Sequence, residues 1–452
     1  MSVNEKFKRK RSLSDQELFY LSWPIFVELF LRVIIGNINV FMISNYSEPA
    51  VAAVGASNQL LNLTVFIYGF VSVGTQIIIA QLIGAKKREQ IPKVITTALA
   101  GGTLLGLLIS ATFILFPRQL LFFMNLPENI VIIGVDYLRI FGGSLVISAV
   151  TATIIAILRS HGETKVGLYI PMVATIIAVI GNYIALYGPF GLPHLGVMGL
   201  GISSVVGNSI GLIIAVRLLY LKTNIHLFHL NVSDFSTDAL KQILALGLPS
   251  SGESLSYQAS QVVVTMIVAS LGQTVLIAKS YVQAITQFVY LIAASIAQGN
   301  QIIIGRKVGA KEFDFAYERG KRSMLIASFV TIIIASLTYV FAEPLMQIFT
   351  YDAQIIEMAK VVFLVDIFLE LGRAINMVLI SSLNAAGDVK FPLMTSLVVL
   401  WLISLPFSYG LAIVAKLGLL GVWLAYAIDE LLRSSVLIRR WKSGSWRTKS
   451  RI

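Results

Sequence analysis

The thirteen residues GTQIIIAQLIGAK at positions 74–86 return as GNQIIIGRKVGAK at positions 299–311, and eight of the thirteen are identical. The two copies lie 225 residues apart (299 − 74), almost half of the 452-residue chain. Glu28 has a counterpart, Glu253, at the same offset. A long self-match at a constant offset indicates a duplicated unit. We therefore predict two structurally equivalent halves.

The composition is typical of a membrane protein. The chain is 56% hydrophobic and 13% charged, with a mean hydropathy of +0.82, whereas a soluble domain carries about 25% charged residues. Apolar runs long enough to cross a hydrocarbon core occur about twelve times. We predict an all-α polytopic membrane protein, with about twelve transmembrane helices in two pseudo-twofold-related six-helix lobes around a central cavity.

The predicted organisation follows the repeat. Six spans per lobe place the start of both lobes on the same side of the membrane, so the copies are parallel repeats. The predicted segments are a basic cytoplasmic tail (1–15), an N-lobe (16–225), an inter-lobe cytoplasmic linker (226–238), a C-lobe (239–440) and a second basic cytoplasmic tail (441–452).

The net charge of +12 lies mainly in short loops and tails between the spans. Bases cluster in Lys86–Arg88 and Arg319–Arg322, whereas the alternate loop Leu271–Val275 contains none. This distribution is the positive-inside pattern of membrane proteins and not a nucleic-acid-binding surface. It predicts a multi-pass protein of the cell (plasma or inner) membrane with both termini cytoplasmic.

Acidic side chains inside predicted spans are candidates for cation coupling, because a charge at the bilayer centre costs about 2.5 kcal/mol or more. Arg32 lies one helical turn after Glu28, so the two can pair, either for coupling or only to lock the helix. Glu253 has Tyr257 in place of that cation. We interpret Glu253 as a titrating group, since burial favours the neutral form of a carboxyl group.

A second acidic group lies in the tenth predicted span. Asp366, Glu370 and Arg373 are spaced so that they share one helix face, which is expected to point inward. Cation coupling and a structural ion pair are both open interpretations of this stripe. For Asp429, Glu430 and Arg433 in the twelfth span we expect a surface-facing network.

Neutral polar side chains in the spans have two interpretations. They either line the cavity or form hydrogen bonds between helices. These candidates are Gln76, Asn182, Gln258 and Gln301.

The sequence contains no catalytic signature. It has no cysteine, no Gly-x-Ser-x-Gly or His-Glu-x-x-His motif and no nucleotide-binding Gly-x4-Gly-Lys-Ser/Thr motif. We therefore expect no enzyme activity, no organic cofactor and no bound metal. The pair His226 and His229 is not interpreted as a metal site.

Several short motifs occur in a fixed order along the chain. They are LSWP at 21–24, AVAAVG at 50–55, GAK at 84–86, LRSHGETK at 158–165, GVMG at 196–199 and GDVK at 387–390. On these motifs the chain resembles the multidrug and toxic compound extrusion (MATE) family over about residues 16–440. The resemblance implies two six-helix lobes, a V-shaped cavity and export of drugs or toxic organic compounds in exchange for H+ or Na+.

The chain departs from the family pattern at acidic positions. An aspartate that many members carry in the first span corresponds to Asn39, which cannot ionise. A family aspartate of the fifth span is Leu186 here, although Asn182 is retained. In span ten, a family aspartate aligns with Arg373. The cation-coupling candidates are therefore the acids that remain in the spans, Glu28, Glu253, Asp366 and Glu370, together with Asn39 at the family position.

The expected function is cation-coupled antiport by alternating access. The expected partners are small amphipathic organic substrates, with cationic ones favoured by the acidic residues, and membrane lipids, and one chain is expected to function as a monomer. The alternative is a lipid-linked oligosaccharide flippase of the same superfamily. A more cationic cavity, or no drug efflux under a pH or Na+ gradient, would favour that alternative.

Overall fold

All regular structure is helical in the residues that the computed structural model describes, which are 3–44, 46–124, 127–191, 194–223 and 234–450. The first half contains α1 (Val3–Ser44), α2 (Glu48–Gly84), α3 (Ile91–Leu115), α4 (Pro117–Phe122), α5 (Glu128–Gly143), α6 (Leu145–Ser160), α7 (Lys165–Tyr187) and α8 (Gly196–Thr223). The second half contains α9 (Thr237–Ser270), α10 (Gln273–Gly309), α11 (Phe313–Val340), α12 (Ala342–Gln347), α13 (Ala353–Ala386), α14 (Lys390–Val399), α15 (Leu405–Tyr409) and α16 (Gly418–Lys442). Two π-helical segments, Leu400–Ser404 and Gly410–Val414, follow α14 and α15 without a break, so residues 390–414 form one continuous helical segment.

The helix boundaries repeat with the offset seen in the sequence. Both ends of α10 lie 225 residues after the ends of α2, and the same holds for α12 and α4. The backbone repeats as well, because Lys86 and Lys311 have φ values of 59° and 60° and lie at equivalent positions. Left-handed backbone is uncommon for residues other than glycine. The predicted duplication of an all-α unit is therefore confirmed.

The helix α13 differs from its counterpart in the first copy. In the first copy α5 and α6 are bent by 42° at a break, whereas the equivalent α13 is continuous. The break falls at Gly142–Ser144, and the equivalent residues Ile367–Leu369 carry large side chains. Glycine and serine pairs are a common cause of sharp helix kinks. Their replacement accounts for the straight α13, which carries two of the acidic candidates.

In the described part of the chain, eight helices are long and apolar enough to cross a membrane, and the bent pair α5 and α6 makes a ninth. The remaining long helices, α9, α13 and α16, contain the polar and charged side chains discussed below, which lower their hydropathy. Together they make the twelve predicted spans.

The chain forms two compact units that interleave in sequence. Unit 1 comprises Met1–Phe26, Ala80–Lys86 and Gly252–Ile452, and unit 2 comprises Val27–Ile79 and Lys87–Ser251. The helices α1, α2 and α9 contribute to both units. Most of the predicted linker, up to residue 233, lies outside the described residues.

Within unit 1, the ends of α2 and α10 cross at very short range. A Cβ atom added to Gly84 would lie 1.9 Å from the carbonyl oxygen of Arg306, and one added to Gly309 would lie 2.0 Å from that of Gln81. Gly309 and Arg306 are the repeat equivalents of Gly84 and Gln81. Each copy therefore presents the same pair of positions to the other, which is the contact pattern of a twofold axis.

Candidate functional site

Glu28 lies in α1 in unit 2 and is 7% exposed. Its Oε1 atom accepts a hydrogen bond from Arg32 Nη2 at 3.1 Å, and its Oε2 atom accepts one from Arg159 Nη2 of α6. The helix α7 packs closely over this ion pair, since a Cβ atom on Gly167 would lie 2.7 Å from Glu28 Oε2. Both carboxylate oxygens are therefore charge-compensated, which suits a fixed ion pair between helices.

Glu253 occupies the equivalent place in α9, in unit 1, and is half-buried. Its Oε1 atom accepts a hydrogen bond from Ser396 Oγ of α14 at 3.1 Å. Among the described residues no cation lies within ion-pair distance of this carboxylate. A carboxylate in a membrane-spanning helix with only a neutral hydroxyl partner needs a proton, a cation or water to balance its charge.

The two acidic candidates of α13, Asp366 and Glu370, are fully buried but differ in their partners. Asp366 Oδ1 accepts a hydrogen bond from Trp423 Nε1 of α16 at 3.0 Å and has no cationic partner in the described part of the chain. Glu370 Oε1 accepts from Arg373 Nη1, one turn away. Glu370 Oε2 is buried and accepts no hydrogen bond from the described residues. Glu370 is therefore only half compensated.

The charged residues of α16 are buried, and the expectation of a surface-facing network was wrong. Asp429, Glu430 and Arg433 are each only 2% to 3% exposed. Arg433 binds both oxygens of Asp429, at 2.8 and 2.9 Å, and its Nη2 lies 2.9 Å from Glu430 Oε1. These side chains face the neighbouring helices of unit 1, where a charge is costly unless it is paired.

A bridge between α13 and α16 joins these groups into one cluster. Arg373 Nε lies 3.7 Å from Glu430 Oε1, and Asn376 Nδ2 donates to Glu430 Oε2 at 2.6 Å. The α13–α16 charge cluster thus comprises Asp366, Glu370, Arg373, Asp429, Glu430 and Arg433. Four carboxyl groups against two guanidinium groups give a formal excess of two negative charges, and Glu253 adds a third. Such an excess is stable in a membrane-embedded helix pair only if protons or cations balance it.

The other predicted polar candidates have varied environments. Gln76 and Gln301 are half-buried at equivalent positions of α2 and α10, Asn182 is buried in α7, and Gln258 is exposed on α9. The side chain of Asn39 and the pair His226 and His229 lie outside the described residues.

Several partners of the acidic residues were not predicted. Arg159, Trp423, Asn376 and Ser396 come from helices far away in sequence, so spacing within one helix gives no sign of them. A signal did exist for Asp429, Glu430 and Arg433, because three charges in a predicted span are costly unless they face the protein interior.

Two repeats of long apolar helices, with incompletely balanced acidic groups buried in one of them, are typical of a polytopic membrane transporter. The sequence profile of the MatE family matches residues 24–184 and 249–410, once in each repeat. The chain therefore belongs to the MATE family of transporters.

Relatives and solved structures agree with this assignment. The chain is 36% identical over 429 residues to the uncharacterized transporter YisQ of Bacillus subtilis, covering 95% of this chain and 94% of YisQ. It is 23% identical to the probable multidrug resistance protein NorM of Thermotoga maritima, covering 96% and 94% of the two chains. It superimposes on a crystal structure of the MATE transporter VcmN of Vibrio cholerae with a TM-score of 0.85, at 20% identity, covering 96% and 97% of the two chains. The twelve-helix, two-lobe fold of the family is thereby shown.

Proposed function

We propose that this transporter exports small amphipathic organic compounds in exchange for H+ or Na+, and that Glu253 exchanges the coupling ion. The observation that carries the proposal is the contrast between equivalent positions. Among the described residues, Glu28 has two arginine partners, whereas Glu253 has only the hydroxyl of Ser396. A carboxylate that is already ion-paired has little to gain from an incoming cation, and an uncompensated one has much to gain.

The α13–α16 charge cluster supplies further carboxyl groups for the same exchange. Glu370 shares Arg373 with Glu430, so a cation taken up by Glu370 frees this guanidinium to move towards Glu430. Uptake of a cation is thereby linked to the contacts between α13 and α16. Coupling requires only that the cation and the substrate favour opposite conformations of the same protein.

The substrate class and the location are proposed on separate grounds. Relatives described as probable multidrug resistance proteins support amphipathic organic substrates, and the excess of acidic groups favours cationic ones. The positive-inside pattern supports a cell-membrane location with both termini cytoplasmic. Lipids are then the only other partners needed, and one chain contains both repeats.

The proposal is tested with purified protein in lipid vesicles, using ethidium as an amphipathic cationic probe. Ethidium movement is measured under an imposed pH gradient and under an imposed Na+ gradient. Glu253→Gln is expected to reduce gradient-driven transport at least tenfold, because the amide cannot bind a proton or pair with Na+. The exposed Glu318→Gln of α11 makes the same chemical change away from the cluster and is the matched control.

Two results would contradict the proposal. Gradient-driven transport that is unchanged in Glu253→Gln would remove Glu253 from the coupling role. Transport of no amphipathic probe under either gradient would favour the lipid-linked oligosaccharide flippase, which is then tested with a fluorescent glycolipid in the same vesicles.

A further inference from the structure

The C-terminal end of the chain folds back against unit 1. After α16 the backbone turns at Gly444, where φ is +69°, and continues as a short 3-10 helix, Ser445–Thr448. We name residues Ser443–Ser450 the C-terminal strap. The equivalent residues of the first repeat, up to Thr223, continue the straight helix α8. The fold-back is thus specific to the second repeat.

Trp446 anchors the strap and is fully buried. Its ring stacks on Trp441 with the centroids 4.3 Å apart, and Trp441 in turn stacks on Tyr317 of α11. The indole nitrogen of Trp446 donates to the carbonyl oxygen of Trp441 at 3.0 Å. Buried aromatic stacks with satisfied polar atoms are strong packing elements. The anchor therefore fixes the strap to the second repeat.

The tip of the strap reaches a helix of the first repeat. The carbonyl oxygen of Lys449 lies against Gly387, the left-handed residue after α13, where an added Cβ atom would be 2.4 Å from it. Ser450 Oγ donates to Gln81 Oε1 of α2 at 3.3 Å. Gln81 Nε2 in turn donates to the carbonyl oxygen of Ala385 in α13 at 2.7 Å. Gln81 is thus held from two sides by the second repeat.

This contact lies beside the close crossing of α2 and α10. Gln81 is also the residue whose carbonyl oxygen faces Gly309 across the crossing of α2 and α10. In alternating access one repeat moves against the other. Motion that parts the ends of α2 and α10 also breaks the contact of Ser450 with Gln81.

We propose that the C-terminal strap is a conformational latch. Trp446 keeps it seated on the second repeat, and its tip holds the end of α2 in the conformation described here and releases it in the opposite one. The latch rests on the proposed alternating access. It predicts that loss of the tip shifts the balance between the two conformations, whichever substrate is carried.

The first test compares two truncations by distance measurement between spin labels. The chain has no native cysteine, so Glu89→Cys and Glu318→Cys directly label an exposed site between α2 and α3 and an exposed site of α11. Truncation after Thr448 removes the tip and leaves Trp446 in place, and truncation after Ser450 is the matched control. Loss of a hydrogen bond is expected to shift the population ratio about fivefold away from the described conformation. Equal distance distributions for the two truncations would overturn the latch.

The second test joins Gln81→Cys to Ser450→Cys with a short bifunctional methanethiosulfonate, whose spacer replaces the reach of the glutamine side chain. Cross-linking is expected to leave only the distance of the described conformation, and reduction is expected to restore the other. A cross-linked protein that still populates both distances would overturn the proposal. Both tests read conformation and not transport, so a wrong substrate or coupling ion does not change their outcome.

Discussion

At the scale of single residues, Glu28 and Glu253 show how a duplicated position takes on two roles. The cations that bind Glu28 are Arg32 and Arg159, and their equivalents in the second repeat are Tyr257 and Asn384. Both replacements remove a positive charge and leave Glu253 with a hydroxyl partner. The two repeats thus differ in charge compensation and not in the position of the acid.

The ion pair of Glu28 is expected to be structural, and its removal should lower stability. Arg159→Met removes the more buried of the two cations that bind Glu28 and leaves the largely exposed Arg32, so the cost is expected to stay below the about 3–5 kcal/mol of a fully unpaired buried charge. Thermal unfolding in detergent should show a clear decrease in Tm. The double variant Arg159→Met with Glu28→Gln should regain part of this loss, since no buried charge of this pair remains. A Tm of Arg159→Met equal to that of the wild type would show that the pair contributes no stability.

At the scale of helices, the crossing of α2 and α10 depends on the absence of side chains at two equivalent positions. Gly309→Ala places a Cβ atom 2.0 Å from the backbone of Gln81, so the helices must separate. Overpacking of this kind costs about 1–3 kcal/mol. Gly84→Ala should cost a similar amount, because its contact is the repeat equivalent.

Gly55→Ala in α2 is the control for this crossing, because no atom lies within 4 Å of the added Cβ. Its Tm should be unchanged or slightly raised, since alanine favours helix more than glycine does. Equal decreases for Gly55→Ala and Gly309→Ala would show that the loss comes from glycine itself and not from the crossing.

The helices also show what the sequence predicts well and what it does not. The offset of 225 residues predicts that α10 matches α2, because a repeat constrains both ends of each element. Pairs within one helix, such as Glu370 with Arg373, follow from the 3.6-residue period. Contacts between helices, such as Glu28 with Arg159, depend on rotation and packing that no local spacing encodes. The inward orientation of the α16 charges is a different case, because three charges in one predicted span already indicate that they face the protein interior.

At the scale of the whole molecule, the acidic coupling candidates are compensated to different degrees. The α13–α16 charge cluster and Glu253 belong to unit 1, whereas Glu28 in unit 2 is bound by two arginines. The duplication therefore supplies a symmetric frame of helices, and the proposed cation exchange uses the candidates of one copy. The C-terminal strap, which also belongs to the second copy, adds to this asymmetry.

The orientation in the membrane is a prediction for the entire chain, and the absence of native cysteine makes it directly testable. Single cysteines at Glu89, between α2 and α3, and at Tyr351, before α13, both lie at exposed positions. The positive-inside pattern places the first in the cytoplasm and the second outside. A membrane-impermeant maleimide applied to intact cells should therefore label Tyr351→Cys at once and Glu89→Cys only after permeabilisation. The reverse labelling pattern would show that the orientation in the membrane is opposite to the prediction. A given cation gradient would then drive the substrate in the opposite direction.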